Sequence, residues 1–317
     1  MRGCAIVLLA LLAASPASAE DRYALVITGA PGGDAFVATY AKWADDLTSV
    51  FRDHLAFTPT HVTVLTGTSD VPSEQSTQQN VRAAVASLRQ RVRRDDLVVI
   101  VLVGHGSVDG ASAKFNLVGP DLTSTEWGEM LRDLPGRVVV MNTTGGSYPF
   151  LRDLAARGRI VITATESAAQ RYDTVFPERL IAALKDPAAD LDKNGRVSLW
   201  ELFVATSRAV AQHFEREGLL ATERARLDDT GDGDSVDAVT PGTDGALARA
   251  TYLERDRAAV EGDPELTELV TRRRTLEEEA ERLKQRKPSM PLEQWEREFE
   301  ALMIELARVS KRIRSRS

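Results

Sequence analysis

Short hydrophobic runs alternate with amphipathic stretches along the first half of the chain. Five runs have the length of buried strands, at residues 23–28, 61–65, 97–103, 137–142 and 159–163. Helical periodicity marks segments between and after them, at about 35–55, 77–92, 123–134 and 150–156. This alternation predicts an α/β fold with a mainly parallel sheet that helices cover on both faces.

Two of the predicted strands end in glycine and small polar residues. The third run is followed by His105 and Gly106, and the fourth by Thr143, Thr144 and two glycines. Because parallel strands place their carboxyl ends at one edge of a sheet, and a crevice forms there, we expect these residues to face one another.

The two strand ends resemble the paired motifs of the caspase-like cysteine peptidases, most closely the legumain type. In that family His-Gly follows one central strand and the nucleophile follows the next, and the resemblance extends over residues 23–184. It implies a caspase-like fold with His105 as the general base and the Gly106 backbone N–H as an oxyanion donor. Thr144 then occupies the nucleophile position.

The same resemblance concerns substrate binding. It implies that Thr165, Glu166 and Ser167, which follow the fifth run, line the specificity pocket. The loop at residues 29–34 contains neither the asparagine nor the arginine that legumain-like enzymes carry there. The resemblance therefore implies neither a preference for asparagine nor a particular orientation of His105.

The chain lacks the thiol that this chemistry requires. Its only cysteine, Cys4, falls within a predicted signal peptide, and Thr144 stands where the catalytic cysteine is expected. A thiol beside a histidine ionises near neutrality, whereas a threonine hydroxyl must lose its proton during the attack and is hindered by its methyl group. The sequence therefore favours a protein that binds without cleaving.

The amino terminus has the pattern of a secretory signal peptide at residues 1–19. Arg2 precedes an apolar stretch, Pro16 interrupts it, and residues 17–19 are small. We therefore expect an exported protein, periplasmic or secreted, with no membrane span. The balance of 47 acidic to 40 basic residues gives no reason to expect a nucleic-acid partner.

Residues 190–201 match the EF-hand calcium loop at every position of its pattern. Oxygen ligands suit this hard cation, and the glycine at the sixth position allows the sharp turn. The predicted ligand residues are Asp190, Asp192, Asn194, Arg196 (through its backbone carbonyl), Ser198 and Glu201.

A second loop of this kind begins at Asp228 and is less complete. The pattern predicts oxygen ligands from Asp228, Thr230, Asp232 and Asp234. Its twelfth position is Val239, which has no carboxylate, and Asp237 is the expected substitute. Calcium is the cofactor that both loops predict.

Residues 263–314 carry two apolar heptad stripes. The first runs through four leucines between 266 and 283, and the second runs from Trp295 to Ile313. Pro288 and Pro291 separate the stripes, which predicts an antiparallel helical hairpin. Such a hairpin packs on its own domain or on a second copy, so a homo-oligomer through it is possible.

The predicted organisation has four parts. A signal peptide at 1–19 precedes a caspase-like α/β domain at 20–187, an EF-hand-like region at 188–245 that completes the domain, and the hairpin at 263–314. The preferred interpretation is an exported pseudopeptidase that binds calcium and a peptide or protein ligand. The alternatives are an active hydrolase that uses Thr144 with His105, and a purely structural scaffold stabilised by calcium.

Overall fold

A six-stranded sheet with helices on both faces forms the body of the protein. This computed structural model describes residues 20–110, 112–170, 172–240, 242–254 and 263–316. The predicted signal peptide lies outside the described residues. Among those that are described, no helix has the length and hydrophobicity that a membrane span requires.

The elements are numbered in chain order. The strands are β1 Arg22–Thr28, β2 Val62–Leu65, β3 Leu97–Val103, β4 Gly106–Asp109, β5 Ser112–Phe115, β6 Leu122–Thr123, β7 Arg137–Asn142, β8 Arg159–Thr163 and β9 Arg226–Asp228. The helices are α1 Asp34–Ser49, α2 Gln78–Arg91, α3 Ser124–Leu131, α4 Pro149–Leu154, α5 Phe176–Lys185, α6 Leu199–Arg216, α7 Ala246–Arg249, α8 Pro264–Arg286 and α9 Leu292–Arg314.

The strand order in the large sheet is β2-β1-β3-β7-β8-β9. The first five strands are parallel, and β9 joins the edge as an antiparallel strand. The predicted mainly parallel sheet is therefore confirmed. The chain moves outward from β1 to β2 and returns to β3 on the other side of β1, and sheets of this kind leave a crevice where the direction reverses.

The central strand β3 is buried on both faces. Val99 and Val101 point into the layer that contains α1, α5 and α6, while Val98 and Ile100 point into the layer with α2, α3 and α4. All seven residues of β3 are at most 1% exposed. Burial on both faces explains why the sequence of this strand is continuously hydrophobic rather than alternating.

Five of the described strands and helices, β4, β5, β6, β9 and α5, were among those missed in the sequence. A small antiparallel sheet of β4, β5 and β6 begins directly after His105, β9 pairs with β8, and α5 follows the loop after β8. The strands concerned have two to four residues, and β4 and β9 contain aspartate, so no hydrophobic run marks them.

The predicted helical hairpin is confirmed. The 3₁₀ turn Lys287–Ser289 separates α8 from α9, and leucines of α8 pack against Val309 and Ile313 of α9. Ion pairs attach α8 to the body, with Arg137 2.5 Å from Glu278 and Arg196 3.0 Å from Glu277. Thus α8 contacts both the body and α9.

Removing the amino-terminal cap of α3 tests this local structure. The Thr123 side chain accepts the Glu126 N–H at 3.2 Å, and the Glu126 carboxylate accepts the Thr123 N–H at 3.0 Å. We expect Thr123→Ala to lower the free energy of unfolding by about 1 kcal/mol in urea denaturation. The neighbouring Thr125 is exposed and does not cap the helix. Thr125→Ala should therefore change the free energy of unfolding by less than about 0.5 kcal/mol. Equal losses would contradict the cap.

Candidate functional site

The structure brings the ends of β3 and β7 into contact. A Cβ atom placed on Gly106 would lie 2.6 Å from the Thr144 hydroxyl oxygen and 2.4 Å from the carbonyl oxygen of Gly145. No residue with a side chain fits at that distance, so glycine is required where the two strand ends meet. The proximity of Gly106 and Thr144 agrees with the predicted crevice.

The imidazole ring of His105 has an acceptor at each nitrogen. Nδ1 lies 2.9 Å from the Asp173 carboxylate, and Nε2 lies 3.0 Å from the carbonyl oxygen of Pro31. In this arrangement both ring nitrogens of His105 have partners other than Thr144.

The hydroxyl of Thr144 is also engaged elsewhere. Thr144 is 1% exposed, its hydroxyl donates to Asn142 Oδ1 at 2.8 Å, and its backbone N–H donates to the same oxygen at 3.1 Å. The Asn142 amide nitrogen is buried and has no hydrogen-bond partner among the described residues. The sequence placed Asn142 at the end of a predicted strand, before Thr144, and its side chain accepts two hydrogen bonds from Thr144.

Aromatic side chains of α1 surround His105. The ring of Phe36 meets it edge-on with 4.6 Å between the centroids, and the ring of Tyr40 lies 5.6 Å away. Burial raises the pKa of the Tyr40 phenol above its usual value, and the charge of Asp173 adds to this shift. The Tyr40 phenol therefore stays neutral in the physiological range.

The predicted pocket residues lie in two environments. Thr165 is buried, and its hydroxyl lies 3.1 Å from that of Ser147. Glu166 and Ser167 are half-buried, and the Glu166 carboxylate lies 3.7 Å from the guanidinium of Arg224. Thr165 therefore serves local packing, while Glu166 and Ser167 are partly accessible.

The connection from β8 to α5 is tied to the strand ends. The Gly146 N–H donates to the carbonyl oxygen of Gln170 at 2.5 Å, and the Thr174 hydroxyl donates to the carbonyl oxygen of Thr143 at 2.5 Å. With the contact between Asp173 and His105, three interactions join this connection to β3 and β7. The sequence offered no signal for Asp173, because a single aspartate in a loop has no periodicity or motif.

A buried carboxylate holds the start of α5. Glu223 is 2% exposed and accepts the backbone N–H groups of Val175 at 2.8 Å and Phe176 at 3.2 Å. Burial raises its pKa to about 7, although the two hydrogen bonds and Arg179 act in the opposite direction. This group therefore titrates close to neutral pH, beside the connection that carries Asp173.

The first EF-hand-like loop brings its predicted acidic ligands together. Carboxylate oxygens of Asp190, Asp192 and Glu201 lie within 4.8 Å of one another. Asn194 donates to Asp192 at 3.0 Å, and burial, with the charges of Glu201 and Asp190, raises the pKa of Asp192. The donor set is carboxylate and amide oxygen, which fits calcium.

The remaining predicted positions of this loop are placed by its contacts. The guanidinium of Arg196 lies 3.0 Å from Glu277, and the pattern assigns the ligand role to the backbone carbonyl of this residue. The Ser198 hydroxyl donates to Glu201 at 2.8 Å, and this pair forms the capping box of α6. Glu201 thus serves both the loop and the helix that follows it.

The second loop differs from its sequence pattern. Carboxylates of Asp228 and Asp232 lie within 4.8 Å of Asp244, which lies well beyond the twelfth position. The expected substitute, Asp237, instead accepts the N–H of Val239 at 2.8 Å. The Asp237 carboxylate closes a local turn and is not part of this cluster, so its role as a ligand stays a prediction.

The two remaining predicted residues of this loop lie beside the cluster. The Thr230 N–H donates to Asp228 at 3.0 Å and to Asp244 at 3.1 Å, while Asp234 is exposed and its N–H donates to Asp232. Burial raises the pKa of Asp228 to about 6, and the charges of Asp244 and Asp232 add to the shift. A cation would offset this repulsion between carboxylates.

Comparison with known proteins finds similarity at the level of structure alone. The sequence matches no family model and no curated protein. The structure is similar to protein GSU0716 from Geobacter sulfurreducens, with 14% identity and a TM-score of 0.46 over 72% of this chain and 96% of that one. It is also similar to caspase-1 from Spodoptera frugiperda, with 11% identity and a TM-score of 0.42 over 67% and 87%. Neither likeness bears on activity.

The raised pKa of Glu223 predicts a pH-dependent stability. Between pH 4.5 and about 7 the folded state holds a proton on Glu223 that the unfolded state releases, so the free energy of unfolding falls as the pH rises through this window. We expect Glu223→Gln to remove about 2 to 3 kcal/mol of this fall, measured as urea denaturation at several pH values.

Asp228 serves as the control for this measurement. Its pKa is raised to about 6, so Asp228→Asn should change the pH profile below pH 6 and leave the step near pH 7 in place. A profile that is identical in wild type and Glu223→Gln would contradict the assignment.

Proposed function

We propose that the chain is an exported caspase-like pseudopeptidase of the legumain type, whose crevice binds a peptide or protein segment and whose loops bind calcium. The observation that carries this proposal is the pairing of the two reactive positions with other groups. His105 contacts Pro31 and Asp173, and the Thr144 hydroxyl contacts Asn142. A general base takes the proton of its nucleophile from within hydrogen-bond reach, and in this arrangement both groups are paired elsewhere.

The chemistry of the nucleophile supports the same conclusion. Loss of the nucleophile in a peptidase typically costs on the order of 10⁶ in rate. Threonine retains an oxygen at this position, but its hydroxyl is buried and donates to an acceptor that does not take the proton. Cleavage by Thr144 would require both side chains to leave their present partners.

Support for the caspase-like assignment comes from the position of the motifs in the sheet. His105 follows β3 and Thr144 follows β7, and these two strands are parallel neighbours. The crevice keeps features that suit a polypeptide ligand, namely the aromatic rings of Phe36 and Tyr40 and the partly accessible Glu166. A protein that binds a peptide without cleaving it needs the crevice but no nucleophile.

Two experiments on cleavage separate the pseudopeptidase from the hydrolase. With calcium and a panel of fluorogenic peptides, we expect the chain without residues 1–19 to show no cleavage above background. Cleavage that both Thr144→Ala and His105→Ala abolish would overturn the proposal. A Thr144→Cys variant that cleaves only while His105 is present would show that a thiol alone restores the reaction.

A binding experiment separates the pseudopeptidase from the purely structural scaffold. A phage-displayed peptide library selected on the protein should yield binders, and Ser167→Trp should weaken the selected peptides at least tenfold in fluorescence polarisation by filling the crevice. The control is Asp95→Trp, because Asp95 is exposed at the opposite edge of the sheet, before β3. Binders that both variants affect equally, or no binders at all, would favour the scaffold.

The calcium proposal rests on the two carboxylate clusters. We expect millimolar calcium to raise the melting temperature, since a ligand at one hundred times its dissociation constant stabilises the fold by about 2.7 kcal/mol. Asp192→Asn should remove part of this shift and Asp244→Asn another part. Asp70→Asn, an exposed aspartate outside both loops, should leave it unchanged.

The second loop allows a sharper comparison. Asp244 belongs to the cluster, whereas Asp234 is exposed. Therefore Asp244→Asn should reduce the calcium-dependent shift more than Asp234→Asn. A melting temperature that calcium does not change would overturn the calcium proposal for both loops.

A further inference from the structure

The outer side of α9 carries apolar side chains that the hairpin does not cover. Leu292 is 58% exposed and Met303 is 40% exposed, and Phe299 is half-buried against Trp295 at 4.8 Å. Successive helical residues turn by about 100°, so Leu292, Phe299 and Met303 share one side of the helix. This side, which we call the outer stripe, lies next to the one that packs on α8 through Val309 and Ile313.

Charge is divided between the two halves of α9. Residues 292–303 contain four glutamates and one arginine, whereas residues 304–314 contain one glutamate and four basic residues. A parallel copy of the helix would place like charges side by side, and an antiparallel copy places opposite charges together. The helix is therefore complementary to itself in the antiparallel orientation.

Several of these charges have no partner within the described chain. The ion pairs of α9 involve Glu305 with Arg272 and Arg312 with Glu265. The charged side chains of α9 that form no ion pair with another described residue are Glu293, Glu296, Arg297, Glu298, Glu300, Arg308 and Lys311. Of these, Glu293, Glu296, Glu300 and Lys311 lie within about 80° of Met303 around the helix, beside the outer stripe, and are available to a partner.

We propose that two copies of this chain associate through their α9 helices, antiparallel and centred on Met303. When Met303 faces Met303 of the second copy, Phe299 lies level with Ala307 and Ser310 of that copy. Their small side chains leave room for the phenyl ring. Glu296 then lies within one turn of Lys311 of the second copy. Two hairpins joined in this way form a four-helix arrangement, which buries both outer stripes.

The pairing surface is small, so the dimer forms at moderate concentration. An α9 of 23 residues is about 34 Å long, and a single pair of helices buries less area than most obligate dimers. The dimer does not depend on the proposed peptide-binding function, because α8 lies between α9 and the domain that contains the crevice.

The oligomeric state of the chain without residues 1–19 tests the proposal. Sedimentation velocity between about 1 and about 100 μM should show a monomer–dimer equilibrium that high salt weakens. Met303→Asp should leave a monomer with unchanged helical circular dichroism. Ile304→Asp is the matched control, because Ile304 is 45% exposed on another side of the same helix, and it should still form dimers.

A charge exchange tests the antiparallel orientation. Glu296→Lys and Lys311→Glu should each weaken the dimer by about 5- to 30-fold, because the symmetric dimer contains each pair twice. The double variant should restore wild-type affinity. A monomer at every concentration, a dimer that survives Met303→Asp, or a double variant as weak as the single variants would each overturn the proposal.

Discussion

The close packing at the carboxyl end of β3 is the constraint on which the candidate site depends. Gly104 has a φ of 139°, and a Cβ atom on it would lie 3.1 Å from the backbone nitrogen of Gly29 after β1. On the other side, a Cβ atom on Gly106 would strike the end of β7. Between these two glycines, His105 is the first side chain that the buried strand presents at the crevice.

The convergence of the strand ends brings many polar groups into a small, partly buried space. Such groups are stable there only when their hydrogen bonds are satisfied. His105 takes Pro31 and Asp173 as partners, and Thr144 takes Asn142. Both positions therefore have partners within the chain.

The sequence predicts those parts of the fold that a clear pattern of residues marks within a single segment. The buried strand β3 and the hairpin break after α8 both follow from patterns within the sequence of one segment. Strand β4 and the roles of Asp173 and Asp244 could not be predicted in this way. Asp173 and Asp244 act through contacts with residues that are distant in the chain, and β4 is a short polar segment without the periodicity that marks a strand.

The first EF-hand-like loop is attached to the helical hairpin by direct contacts. The guanidinium of Arg196 lies 3.7 Å from the ring of Tyr252, and the same side chain pairs with Glu277 of α8 at 3.0 Å. The backbone at Ser198 also bridges to Tyr252. One residue of the loop thus contacts both the body and α8. A loop that keeps this conformation therefore stabilises the contact between the hairpin and the body. The carboxylates of this loop therefore lie next to a contact that holds α8 to the body.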